Sequence, residues 1–160
     1  MTCRAVWLPL WLCVAACGSD DVSAAGDYTV TVTSGLNGCN LPNWTAGATS
    51  TATVTLTQSQ NDVTAVVGGV AGIVLNLGLG GNSFTGKISG SDLDLHLFGT
   101  RSNTTGNCTY TINATIRAVV SGNMLTGQID YKSATNGNPD CSAIANCDSF
   151  QDLDGTRASP

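Results

Sequence analysis

Glutamate is absent from this 160-residue chain, histidine occurs once, and lysine and arginine together number only six. The shortage of cations excludes the clustered basic face that nucleic-acid binding requires. Beyond residue 16 the basic residues are Lys87, Arg101, Arg117, Lys132 and Arg157, spread along the chain. Without glutamate, all 11 acidic positions are aspartate, a residue that is poor in helix interiors and favours turns and caps. No glycosidase-like carboxylate pair, phosphate-binding glycine loop or G-x-S-x-G nucleophile elbow is recognisable. No apolar run approaches the ~20 residues needed to cross a bilayer as a helix.

What is present is globular. Hydrophobic residues make up 42% of the chain and charged residues 11%, with a formal net charge of −5. The length suits one domain. β-Branched residues are abundant and helix formers scarce, which biases the chain toward strands.

The first residues, MTCRAVWLPLWLCVAAC, place one base, Arg4, before an apolar run from Ala5 to Ala16. A basic start followed by a short apolar core is the pattern of a secretory leader. Its end, Val14-Ala15-Ala16-Cys17, resembles the lipobox of bacterial lipoproteins. The resemblance implies residues 1–16 as a cleaved signal peptide, diacylglycerol on the Cys17 thiol and acylation, palmitate included, of the new amino terminus. It also implies export to the cell envelope. Gly18 stands where the family's inner-membrane retention signal would place aspartate, so the outer membrane is the expected destination. The small, polar stretch 17–26 reads as a lipidated flexible tether, and 27–160 as a single β domain.

Inside that domain the apolar pattern has period two, as half-buried strands require. Val30 and Val32, Val54 and Leu56, Leu93, Leu95 and Leu97, Ile112 to Ala118, and Leu125 to Tyr131 each alternate with polar neighbours. Turn phrases recur between them, Gly81-Asn82 and Gly122-Asn123 most closely. The expected fold is all-β: an antiparallel up-and-down meander that closes into a small barrel of ~8 strands, or a flattened sandwich, to hide its edges. The segment 68–81, GGVAGIVLNLGLGG, contains six glycines and reads as a glycine-bent strand pair at a barrel corner. Its functional alternative is a flexible apolar lip over a ligand cavity, or a patch touching lipid or a partner.

Cys3 and Cys13 leave with the leader, and Cys17 is the lipid site. Cys39, Cys108, Cys141 and Cys147 remain, an even number that in an exported chain reads as two disulfides. They are spread too widely, and without a C-x-x-C pair, for a zinc site. Three connectivities are open; the favoured pairs are Cys39–Cys108 and Cys141–Cys147, the latter closing a local loop.

Candidate chemistry is sparse. His96 shares a strand face with Asp94 and Asp92, so a hydrolase would need Asp94 to orient it and a serine or threonine as nucleophile. In DSFQDLDG, Asp152 and Asp154 have partial calcium-loop spacing, but no acidic residue closes the loop, and the stretch reads first as a turn. Trp44, the only tryptophan beyond the leader, either plugs the core or stacks on a ligand. Its early position resembles that of a tryptophan in lipocalin-like and avidin-like barrels, which implies a similar small barrel. No cofactor is called for. The expected role is a non-enzymatic envelope lipoprotein held to the membrane through Cys17, its barrel binding a small apolar ligand or an envelope protein. A purely structural or assembly role without ligand is the alternative, and a hydrolase using His96 the remote one.

Overall fold

The computed structural model describes residues 22–158. The leader and Cys17 therefore lie outside the described residues. The described residues form nine strands: β1 (Gly26–Asn37), β2 (Thr49–Ser59), β3 (Asp62–Val67), β4 (Ser83–Ser89), β5 (Asp92–Leu97), β6 (Asn103–Thr105), β7 (Cys108–Ser121), β8 (Met124–Thr135) and β9 (Asp148–Arg157). One α-helix, α1 (Gly69–Leu79), lies between β3 and β4, and a short 3-10 helix (Pro139–Ala143) precedes β9.

Every pairing is antiparallel, and each strand of the wall lies beside its neighbour in sequence. The first strand meets the last, β1 against β9, while β5 skips the three-residue β6 to pair with β7. The result is an eight-stranded up-and-down barrel with one extra strand. Period two places Tyr28 and Val30, Val63 and Ala65, Phe84 and Ile88, Leu93 and Leu95 on the inner face, all buried. Thr51, Thr53, Thr55 and Thr57 face outward from β2 and are exposed. This is the inverse of a membrane-spanning barrel, whose outer face is apolar.

Glycine is needed where the sheet coils. Gly127 lies on the inner side of β8 between Leu125 and Ile129. A Cβ there would meet the Arg117 carbonyl and the Ala118 backbone of β7. The bare backbone lets the two strands close together at a bend.

The two poles differ. Three two-residue hairpins, Gln60-Asn61, Gly90-Ser91 and Gly122-Asn123, close one pole. Residues 22–26 and the end of β9 lie there too. The Ala24 amide donates to Gln58 Oε1 (2.7 Å), Tyr28 Oη donates to the Ala24 carbonyl (2.9 Å), and an Arg157 Nη donates to the Ser23 carbonyl (2.6 Å). Residues 22–26 of the expected tether are thus fastened to the barrel, with Ala24 fully buried. The opposite pole carries α1, the long connections and both disulfides.

Those disulfides are Cys39–Cys147 and Cys108–Cys141, and they replace the expected pairs Cys39–Cys108 and Cys141–Cys147. Barrel closure is the reason. Cys39 follows β1 and Cys147 precedes β9, and the Asn37↔Ser149 pairing sets them side by side. Cys108 opens β7, and Cys141 follows β8, whose Thr135 pairs with Tyr110. The local Cys141–Cys147 link is not used, because each cysteine already faces a neighbouring strand end.

Two further expectations change. The 68–81 segment is not a strand pair: most of it is α1, an 11-residue helix. The DSFQDLDG stretch is not a turn: it is most of β9, the strand that closes the barrel.

Two outcomes follow for stability. Proteolytic mapping without reduction should recover Cys39 linked to Cys147. In the chain-entropy account longer loops contribute more, so removing this 108-residue link should lower urea stability by about 1 kcal/mol more than removing the 33-residue Cys108–Cys141 link. Gly127→Ala should lower the unfolding free energy by about 1–3 kcal/mol through overpacking. An unchanged urea midpoint would contradict the close approach at that bend.

Candidate functional site

α1 crosses the mouth of the barrel. It packs against β2, β3 and β7, and β2 and β7 stand opposite each other, with three strands between them in either direction around the wall. A chain segment spanning a mouth has no strand neighbours to take its backbone groups, and a helix satisfies them internally. The helix ends at Gly80, whose left-handed conformation (φ 90°) lets its amide donate to the Asn76 carbonyl (3.0 Å). The open carbonyls of the last turn are taken up by the segment after β5. Leu79 accepts from the Thr100 and Arg101 amides (2.7 and 3.2 Å), and Leu77 accepts from Arg101 Nε (3.2 Å). Gly72, Leu75 and Leu79 turn inward, while Val70, Ile73, Val74 and Leu77 are exposed.

Beneath the helix the interior is not filled. A cavity of about 320 Å3 lies between α1 and the barrel walls. Small side chains make the room on one side, Ala52 and Val54 from β2 with Ala65 and Val67 from β3. Ile116, Leu125, Ile129 and Leu153 form much of the opposite side. Val54 points inward yet is only half-buried, and the exposed Val70, Val74, Ser50 and Thr51 belong to the lining. The cavity therefore communicates with solvent beside the first turns of α1.

Its wall is apolar except near that mouth. Tyr131 Oη donates to Gln151 Oε1 (2.8 Å), and Gln151 Nε2 donates to Ser34 Oγ (3.1 Å). Burial pushes the Tyr131 phenol well above its ordinary range, because the phenolate would be desolvated. The group stays a neutral donor at any physiological pH. Trp44 is not part of the lining. Its ring meets Tyr131 edge to face at 5.8 Å, and its Nε1 donates to the Gly35 carbonyl (3.0 Å). Trp44 holds Tyr131 from behind instead of stacking on an occupant of the cavity.

The other candidates stand on the outer wall. Asp152 and Asp154 are exposed on β9, and Asp152 Oδ1 accepts from Gln128 Nε2 (3.1 Å) across to β8. Among the described residues no group of three or more potential metal ligands converges. His96 lies between Asp94 and a threonine from the next strand. Its Nε2 is 3.3 Å from Asp94 Oδ1 and its Nδ1 is 3.2 Å from Thr115 Oγ1, the residue directly across the β5–β7 ladder. Carboxylate, imidazole and hydroxyl thus occur in the order that nucleophilic catalysis uses. They lie on the convex outer wall, outside the cavity lining, whereas the chemistry needs a concave, water-poor site with oxyanion donors.

Sequence reasoning named neither Tyr131 nor Gln151 as site residues. The available signal was polarity inside an inward-facing register, since Gln151 follows Ser149 and precedes Leu153 on one face of β9. No protein-family model matches the chain, and no curated protein or solved structure is detectably similar to it.

Proposed function

We propose that this chain is an exported envelope lipoprotein, anchored through acylated Cys17, whose barrel binds a small apolar ligand without transforming it. The observation that carries the ligand is the 320 Å3 apolar cavity under α1. Its size falls at the lower end of small-molecule sites, about 300–1,000 Å3, and its few polar groups converge near one mouth, as in such sites. An eight-stranded barrel can be packed solid or hold one small ligand. Open volume among Ala52, Val54, Ala65 and Val67 favours the second over a purely structural or assembly role.

The described chain enters the barrel at the pole opposite the cavity mouth. The described chain begins at Val22, beside the hairpins, and α1 covers the other end. A lipid on Cys17 therefore tethers the hairpin pole, and the mouth faces away from the anchoring membrane. Ligand exchanges with the aqueous side or with a partner, not directly with that bilayer. Both parts of the proposal rest on local features: the Val14-Ala15-Ala16-Cys17 motif for the anchor, and the cavity for the ligand. The Asp94–His96–Thr115 chain is the specific observation behind a second, hydrolytic reading, which lacks a substrate cleft around it.

Each part has its own test. N-Phenyl-1-naphthylamine should bind the purified protein with an increase in fluorescence and should raise its melting temperature, because a ligand held only by the folded state stabilises it. Val54→Trp fills the void and should abolish the fluorescence gain while the protein still melts cooperatively. Undiminished dye binding by that variant would place the ligand elsewhere. Cells expressing the protein should incorporate radioactive palmitate into it, and Cys17→Ser should not; label retained by the variant would end the lipoprotein reading.

A further inference from the structure

The cavity is apolar, but its chemistry is more specific than that. Among the described residues no aspartate, lysine, arginine or histidine belongs to its lining. The cations are committed elsewhere: Lys87 pairs with Asp62 (2.8 Å), Arg117 with Asp130 (2.9 Å) and Lys132 with Asp148 (3.8 Å) on the outer wall, and Arg157 with Tyr28 Oη and the Ser23 carbonyl at the hairpin pole. Arg101 reaches the Leu77 carbonyl at the far end of α1. A charged head drawn inside would lose its hydration and find no counter-ion, which is strongly unfavourable. The excess of aspartate over basic residues adds a long-range penalty for anions.

The polar groups have unused capacity. Gln151 carries two amide hydrogens and a carbonyl oxygen with two lone pairs. One hydrogen goes to Ser34 and one lone pair to Tyr131. That leaves Gln151 a donor and an acceptor, and the Tyr131 oxygen an acceptor, for a ligand. Position along the barrel adds a direction. Tyr131 and Gln151 pair with Ala114 and Ser34, toward the α1 pole, whereas Leu56, Leu93 and Leu125 line the cavity near the hairpin pole. The site is polar at the mouth and wholly apolar in its depth.

We propose that the natural ligand is an uncharged amphiphile with one hydrogen-bonding head, such as an alcohol, ester or amide. Its head is held by Gln151 and Tyr131, and its hydrocarbon body points toward Leu56, Leu93 and Leu125. This rests on the cavity being a ligand site at all, and the test separates the two. Displacement of N-phenyl-1-naphthylamine is measured with 1-decanol, decanoate and decylammonium at pH 7.5, and with naphthalene as a headless competitor. Decanol should compete at least tenfold better than either ion. Decanoate should improve as the pH falls through its carboxyl range of about 4–5 and the acid becomes neutral.

Gln151→Leu should weaken decanol about three- to tenfold, the value of a neutral hydrogen bond, and leave naphthalene unchanged. Either ion matching decanol at pH 7.5 would overturn charge exclusion and leave apolar binding intact. Equal losses for decanol and naphthalene in Gln151→Leu, or none for either, would overturn the head contact. No binding of dye or any competitor would remove the ligand site itself, and this inference with it.

Discussion

The pairing of the first strand with the last is the constraint on which the rest depends. Until β1 meets β9, the meander has two open edges of unpaired amides and carbonyls, an invitation to aggregation. Once they meet, through a register running from Tyr28↔Arg157 to Asn37↔Ser149, the strand number and hence the bore are set. The closure also decides the disulfides, since it brings Cys39 to Cys147 at the seam. Ser149 finishes that corner: fully buried, its Oγ accepts from the Cys39 amide (2.9 Å) and donates to Asn37 Oδ1 (3.2 Å). A covalent link and a buried hydrogen-bonded hydroxyl thus lock the strand pair whose separation would open the barrel.

A closed wall of fixed circumference leaves the interior to side-chain volume. Phe84, Ile88, Val63 and Val120, all but inaccessible, fill part of it. Ala52 and Ala65 leave room nearer α1. A helix covers that end. α1 does this with Gly72, Leu75 and Leu79, while its other side remains apolar and exposed beside the opening. A helix with so many exposed apolar side chains is unusual for a lid that only seals. Beside the mouth of an apolar cavity it gives the proposed ligand a low-polarity path.

The strand architecture was legible in the sequence because alternation is a local signal: Leu93, Leu95 and Leu97 or Ile112 to Ala118 declare their inner face without help from the rest of the chain. α1 was not legible. Gly72, Leu75 and Leu79 have helical spacing, but apolar residues occupy the intervening positions too, so no face stands out, and six glycines in the segment argued for bends. β9 was hidden for the opposite reason. Its outward Asp148, Asp152 and Asp154 resembled a turn or a cation loop, and its inward face is mixed, Ser149, Gln151, Leu153 and Gly155. Missing β9 meant missing the seam, and without the seam the cysteine pairs could not be derived. An up-and-down barrel must join its ends, so the segment before the last strand has to lie beside the segment after the first, which is where Cys147 and Cys39 stand.

The mixed face of β9 also explains why the site residues escaped notice. In a packed barrel, a glutamine in an inward register is a defect unless its hydrogen bonds are met. Gln151 meets them halfway, bridging Tyr131 and Ser34 and keeping one donor and one acceptor free. Tyr131 is itself braced by Trp44, so the pair is held in place before any ligand arrives. Three polar side chains arranged this way add little to a fold already secured by closure and two disulfides. In the proposed function they orient the head of the ligand. Ser149 serves the seam, whereas Tyr131 and Gln151 lie in the cavity lining toward the opening, where the proposed ligand places its head.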